Sequence, residues 1–213
     1  MSDLIYLDNA ATAFPKPPEV IETMASFYRD CGVNPGRSGY DLAVEAGLMV
    51  DGTRRKLDEF FHGPARAHNH VMFAANASDA LNLIIQGVCR PGDHVVSTVL
   101  EHNSVLRPLY VMEQEGIITH TLVPCDGDGF VDPDAIARAI TPATRLVIVN
   151  HGSNVLGTIQ DAPAIGRICR ERGVLFALDS AQTAGMIPID MAASCIDLLA
   201  FTGHKSLMGP TGI

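Results

Sequence analysis

Arg145-Leu146-Val147-Ile148-Val149-Asn150 is a nearly unbroken apolar run that opens directly into a polar cluster, His151-Gly152-Ser153-Asn154. A strand wet on one side alternates apolar and polar residues. A run that is apolar throughout belongs to a strand covered on both faces, the habit of parallel sheets. The same pattern continues outward in both directions. His70–Ala75 reads as a strand, and Ala77–Cys89 as a helix whose apolar face is Ala80, Leu81, Leu83, Ile84 and Ile85. Pro91-Gly92-Asp93 turns the chain into a strand at His94–Val99, Val105–Gln114 is a helix stopped by Gly116, and Ile118–Val123 is a strand. Asp132 and Pro133 open a helix that runs through Ile140, as N-cap and first-turn proline. Ala162–Arg172 is a helix ended by Gly173, and Val174–Leu178 and Leu198–Phe201 are short buried strands. Buried strands alternating with helices predict an α/β fold of three layers, a mostly parallel sheet with helices on both faces.

Composition agrees with a packed domain. The 213 residues (22.7 kDa) are 47% hydrophobic and 18% charged, which excludes disorder and leaves room for a sizeable core. Apolar runs such as Leu146–Val149 and Leu198–Phe201 are far shorter than the roughly 20 residues a membrane helix needs. The opening residues Met1–Tyr6 lack the basic and apolar regions of a signal peptide. Five cysteines (Cys31, Cys89, Cys125, Cys169, Cys195) are odd in number, widely spaced and without a C-x-x-C pair, so neither a disulfide framework nor a cysteine metal site is expected. A reducing cytoplasmic setting fits. With 15 basic and 24 acidic residues, net −9, neither nucleic acid nor an anionic membrane is an expected partner. A small anion held by a few local donors is unaffected by that balance.

In parallel sheets, ligands gather beyond the carboxyl ends of the strands. The segment after each strand here is polar. Asn76-Ala77-Ser78-Asp79 opens a helix, either as a plain N-cap or as an anion nest with a hydroxyl at the positive helix end. Glu101-His102-Asn103 offers a ring that is structural, solvated, or able to stack on a cofactor and move protons. Asn150–Gly157 is a hydrogen-bonded loop or a site. Asp179-Ser180-Ala181-Gln182 puts a carboxylate at the end of a buried strand, where it caps the next segment or awaits a fixed cation. Thr202-Gly203-His204-Lys205 carries an amine that is idle in water and nucleophilic when desolvated. Taken together, an anion nest, a flat ring, a buried carboxylate and a lysine at the ends of one sheet are the parts that hold an aromatic aldehyde cofactor with a phosphate and a ring nitrogen.

Six motifs carry a resemblance to a known family: Tyr6-Leu-Asp-Asn-Ala-Ala-Thr12, Asn76-Ala-Ser-Asp-Ala-Leu-Asn82, Glu101-His102-Asn103-Ser104, Asn154-Val-Leu-Gly157, Asp179-Ser-Ala-Gln182 and Thr202-Gly-His-Lys205. In order and spacing they resemble class V aminotransferases, fold type I pyridoxal 5′-phosphate enzymes, and within them the cysteine desulfurase branch. The resemblance implies that Lys205 forms the Schiff base and then moves protons at the substrate Cα. It implies that Asp179 pairs with the pyridinium nitrogen and that His102 stacks on the ring. Asn154 and Gln182 would hydrogen-bond the phenolate oxygen and its surroundings, and Ala77, Ser78, Thr202 and His204 would hold the phosphate. Asn9, Ala10 and Ala11 would line the substrate side, and Asn34-Pro35-Gly36-Arg37 matches a loop near the active site. Asp179 and Lys205, 26 residues apart, leave room for a helical crossover between neighbouring strands. Many relatives have Gly-Thr-Thr-Glu or Gly-Ala-Thr-Glu where this chain has Asn76-Ala77-Ser78-Asp79, a change that keeps a hydroxyl and a carboxylate.

The resemblance also implies that residues 1–213 are an N-terminal segment plus an incomplete cofactor-binding large domain. Relatives run on for about as long again, with the smaller C-terminal domain, the arginine that binds the substrate carboxylate and the cysteine that takes the sulfur. Cys89, Cys169 and Cys195 are expected to be buried packing residues, and none of the five cysteines matches that nucleophile. The implied reaction converts L-cysteine to L-alanine and passes the sulfur through an enzyme persulfide to an acceptor protein, in a homodimer. The alternatives are selenocysteine lyase or another class V lyase or aminotransferase. A different class of alternative is a non-catalytic remnant or interaction module.

Overall fold

The computed structural model describes residues 4–36, 39–63 and 68–212. Five strands, β1 (His94–Thr98), β2 (Thr119–Val123), β3 (Thr144–Asn150), β4 (Leu175–Asp179) and β5 (Leu198–Ala200), form one wholly parallel sheet in the order β2-β1-β3-β4-β5. The helices are α1 (Pro18–Asp30), α2 (Asp41–Phe60), α3 (Ala77–Val88), α4 (Asn103–Gln114), α5 (Pro133–Ala139) and α6 (Ala162–Arg172).

The apolar run of β3 explains the three layers. Side chains alternate across a strand, so Leu146 and Ile148 face one side and Val147 and Val149 the other. Leu146 and Ile148 share a core with Leu81 and Ile85 of α3 and with Val105 and Leu109 of α4. Val147 and Val149 share a second core with Ile136 of α5 and with Ile165 and Cys169 of α6. Each fully buried side chain of this size contributes about 1.5–3 kcal/mol. At Gly166 of α6 a Cβ would stand 1.8 Å from the Ser194 carbonyl oxygen, so the helix lies close only because that side chain is a hydrogen. Gly173 ends α6 with φ +66°, a left-handed geometry that glycine adopts without strain.

Most expected boundaries hold within a residue or two. Helix α4 starts earlier than expected because His102, not a residue near Val105, caps it. Two expectations fail. His70–Ala75 is not a strand: His68–His70 forms a single 3-10 turn, and no strand among the described residues pairs with residues 71–75. Met72 and Phe73 are exposed, and the Arg54 guanidinium sits 5.4 Å from the Phe73 ring centroid while its Nε donates to the Val71 carbonyl. An apolar run becomes a strand only where a ladder is available, and here a side chain takes one of its carbonyls. The crossover from β4 to β5 does join neighbouring strands, with Asp179 opposite Ala200, but residues 180–197 are turns rather than a helix. Gly185 at φ +85° and Pro188 interrupt that stretch. Helices α1 and α2 lie outside the alternating pattern. The first buries no residue and the second only Ala43 and Ala46. Among the described residues no helix is long and apolar enough to cross a membrane.

The strand order fixes where a ligand can sit. The chain steps from β1 outward to β2, then returns to place β3 on the other side of β1. The crevice at such a reversal opens above the carboxyl ends of the strands.

Candidate active site

A cavity of about 420 Å³ opens at that end of the sheet. Its walls come from six places in the chain: Asp8, Ala10 and Ala11; Asn76, Ala77 and Ser78; His102 and Ser104; Asn150 and Asn154; Asp179, Ala181 and Gln182; and Thr202, His204 and Lys205. Of the residues to which the resemblance gives a cofactor or substrate role, all but Asn9 line it.

The α3 wall is a helix start. Asn76 is the N-cap, its Oδ1 accepting from the Asp79 N–H at 2.9 Å. The capping role therefore falls on Asn76 rather than on Ser78. That leaves the Ala77 and Ser78 amides and the Ser78 hydroxyl at the positive end of the helix dipole, where an anion is favoured. His102 caps α4 with Nδ1, which accepts from the Ser104 N–H at 3.1 Å and lies 2.8 Å from the Ser104 hydroxyl. A ring that accepts at Nδ1 carries its proton on Nε2 when neutral. His102 is thus structural and cavity-lining at once.

Asp179 ends β4 and is 3% exposed. Its Oδ1 accepts from the Ala181 N–H at 3.0 Å. Burial pushes its carboxyl above the ordinary range, and the Ala181 amide, His102 and Lys205 pull it partly back. Lys205, half-buried, has its amine pushed below the usual lysine range by desolvation, while Asp179 pulls it up. The two make no ion pair with each other. A desolvated amine and a desolvated carboxylate therefore face one cavity, each with bonding capacity left over.

The N-terminal segment straps the lysine loop. The His204 carbonyl, one residue before Lys205, accepts from the Ala13 N–H at 3.2 Å, from the Thr12 hydroxyl at 3.1 Å and from the Lys16 ammonium. His204 Nδ1 lies 2.9 Å from the Thr12 hydroxyl, and its imidazole is held below its ordinary pKa by burial and by Lys205 and Lys16. Gln182 Nε2 donates to the Ala10 carbonyl at 3.1 Å, so its amide hydrogens are partly committed to that strap. Asn9 turns away, its Oδ1 accepting from the Phe14 N–H at 3.3 Å. Ala10 and Ala11 line the cavity, whereas Asn9 does not, its side chain being engaged in its own turn. Asn154 is exposed at the rim without a partner among the described residues, and Thr202 is buried.

Other expectations resolve as structure. His151 is buried with Nδ1 2.9 Å from the Thr183 hydroxyl, and burial lowers its pKa. Arg37 lies outside the described residues, and Asn34-Pro35-Gly36 does not line the cavity. All five cysteines are free. Burial raises Cys89 to about 11 and Cys169 to about 12, as suits packing residues. Cys195 departs from expectation: it is half-buried in a turn at φ +53°, outside any helix. None of the five lines the cavity.

Sequence reading gave no role to Asp8, Ser104 or Lys16 and did not identify Asn76 as the cap. Asn150 it placed only as the start of a loop or site. It also left Glu101 without a role. Glu101 is buried, and its carboxyl is raised to about 8, chiefly by desolvation.

The chain matches the family model described as aminotransferase class-V over residues 5–213. A protein of Methanothermobacter thermautotrophicus named "Probable cysteine desulfurase" is 36% identical over 213 residues, all of this chain and 52% of its own length. The chain thus spans about half the length of the curated relatives it matches. Among solved structures, the apo cysteine desulfurase of Thermococcus onnurineus NA1 superposes with a TM-score of 0.90 at 31% identity, covering 99% of this chain and 52% of that one. A structure described as SspA in complex with cysteine superposes at 0.89 with 28% identity, covering 98% of this chain and 59% of that one.

Proposed function

The chain belongs to the class V aminotransferase family, and on that premise we propose that its cavity holds pyridoxal 5′-phosphate and serves the desulfuration of L-cysteine. The observation that carries the reading is Lys205 and Asp179 facing one cavity, both desolvated and not closed on each other. The donor set fits that cofactor. A phosphate suits the amides of Ala77 and Ser78 at the start of α3, with the Ser78 hydroxyl, Thr202 and His204 beside it. A protonated ring nitrogen suits Asp179, because a cation brought against a buried carboxylate restores its charge. When bound, the cofactor supplies an aldehyde conjugated to an electron-withdrawing ring.

The side chains divide the remaining work. Burial keeps a larger fraction of Lys205 as free amine than water would, so it serves as nucleophile and then moves a proton at the substrate Cα. Asp179 would pair with the ring nitrogen and favour its protonated form. His102, its Nδ1 committed to the α4 cap and its proton on Nε2 when neutral, would border the ring from the cavity wall. Asn154 and the Gln182 carbonyl oxygen complete the polar rim, and Ala10 and Ala11 border the substrate side.

L-cysteine as substrate is supported by the names of the relatives and by the cysteine held in the SspA structure. In this reading residues 1–213 are the N-terminal segment and part of a cofactor-binding large domain, and a homodimer and a sulfur-acceptor protein are its partners. The sulfur passes to a thiol other than these five, since none lines the cavity and two have strongly raised pKa values.

The test is to add pyridoxal phosphate to the purified chain, reduce with borohydride and map the modified peptide. Label on Lys205 is expected. Label elsewhere or none overturns the site. Alanine released from cysteine, and not from selenocysteine alone, separates a desulfurase from a selenocysteine lyase. A labelled chain that turns over neither is a cofactor-binding remnant.

A further inference from the structure

Glu101 is a buried titratable group with no part in the proposed chemistry. It and Asp179 are the only acidic side chains among the buried residues described. They lie on either side of β3, at the ends of β1 and β4. Oε1 of Glu101 accepts from the Thr98 hydroxyl at 2.7 Å and from the Asn150 N–H at 3.0 Å. Oε2 is equally buried and has no partner. A carboxylate has about four acceptor sites to satisfy, whereas a carboxylic acid asks less and carries a proton on the oxygen that receives no donors. With both donors on Oε1, that proton belongs on Oε2.

The contact leads straight to the cavity. Asn150 lines it and stands opposite Asp179 in the β3–β4 register, and the next amide, His151 N–H, donates to the Asp179 carbonyl at 2.8 Å. The Asn150 side-chain Nδ2 also donates back to the Leu100 carbonyl at 3.3 Å, one residue before Glu101. Residue 102, on the other side, is the ring that lines the cavity. Among charged groups, Asp179 is the one whose charge acts on Glu101, and it opposes ionisation.

We propose that Glu101 is a positioning residue for the cofactor site: held neutral, it ties the end of β3 to the end of β1 through Asn150 and leaves Asp179 as the single buried negative charge there. A second carboxylate beside Asp179 in a low-dielectric setting would favour protonation of Asp179, the group that must stay charged to hold a ring nitrogen. Neutrality of Glu101 protects that charge. The inference rests on the cofactor reading, and the experiment separates the two.

Wild type, Glu101→Gln and Glu101→Leu are compared without cofactor, by thermal unfolding across pH, and with pyridoxal phosphate, by its affinity and visible absorbance. An acid whose pKa is raised in the fold contributes stability that is complete below its unfolded value of 4.5 and is lost as pH rises through about 8. The cofactor-free wild type should show that alkaline loss and Glu101→Gln should not. The visible band of loaded wild type should show an added pH transition, absent in Glu101→Gln, which a purely structural residue would not produce. At neutral pH Glu101→Gln should hold pyridoxal phosphate within about twofold of wild type. Glu101→Leu, which strands two donors, should bind it about tenfold more weakly. If Glu101→Leu does not fold, the glutamine variant alone decides. An unchanged alkaline loss in Glu101→Gln, or affinity weakened tenfold at neutral pH, would show a charged Glu101 and overturn the inference. Wild type that takes no label on Lys205 overturns the cofactor reading instead.

Discussion

The two ends of the parallel sheet bury similar kinds of polar side chains and use them differently. At the amino end His94 sits between two hydroxyls, with Nδ1 2.8 Å from Thr144 and Nε2 2.9 Å from Thr121. Both ring nitrogens are satisfied, and Thr144 in turn accepts from the Thr141 N–H at 2.7 Å. Burial, with His120 adding a smaller push, holds the imidazole below its ordinary pKa. At the carboxyl end, Asp179, Glu101 and Lys205 keep unused bonding capacity and face or adjoin a cavity. Residue type does not separate a structural cluster from a site. Leftover capacity beside a cavity does, because groups that have closed on each other have nothing to offer a ligand.

The largest stability effect belongs to the closed end. His94→Ala removes one buried and one partly buried hydrogen bond and the ring, and should cost about 2–3 kcal/mol in urea unfolding near neutral pH while leaving Lys205 labelling intact. The pH dependence comes from the direction of the shift. The fold resists a proton that the unfolded chain accepts, so His94 contributes fully above its unfolded value of 6.5 and progressively less as pH falls below it. The gap between variant and wild type should therefore narrow in acid. Lost labelling, or a gap that widens in acid, would break the contrast between the two ends.

A smaller effect of opposite sign is expected at the open end. Asp179→Asn keeps an acceptor for the Ala181 N–H and removes a carboxylate that is costly to bury. The cofactor-free chain should gain about 1 kcal/mol at neutral pH, since an unpaired buried charge is unfavourable. The gain should vanish in strong acid, where Asp179 is itself neutral. Pyridoxal phosphate should bind more weakly and lose its ring-protonated absorbance. A variant less stable than wild type would make Asp179 a structural residue like His94.

How much of this could be read from the chain varies with what each element depends on. The strands of Arg145–Asn150 and Val174–Leu178 were legible because burial on both faces is written into consecutive apolar residues. Helix α6 was legible at its end, from Gly173, whereas the Asp161 cap came only with the structure. His70–Ala75 misled because the same apolar signal says nothing about whether a partner strand is present. The β4–β5 crossover misled because length permits a helix without requiring one. At the site, motif positions located Lys205, Asp179 and the start of α3. They did not show that Asn9 spends its side chain on Phe14, that Lys16 reaches the carbonyl beside Lys205, or that Glu101 has one oxygen filled and the other empty. The last two depend on contacts across 49 to 188 residues of chain, which no local pattern encodes.

His102 offers the finest test, because it belongs to both kinds of polar group at once. Its Nδ1 is committed to the start of α4, while its ring borders the cavity. Asparagine is among the best N-caps, and its Oδ1 can take the Ser104 N–H as the imidazole nitrogen does. His102→Asn should then leave the stability of the cofactor-free chain within about 0.5 kcal/mol of wild type, whereas His102→Ala should cost about 1 kcal/mol. Both should weaken pyridoxal phosphate to a similar degree, since both remove the ring. If asparagine restores cofactor affinity along with stability, the ring does no more than cap a helix. If alanine leaves stability untouched, the cap contributes nothing and His102 belongs wholly to the cavity.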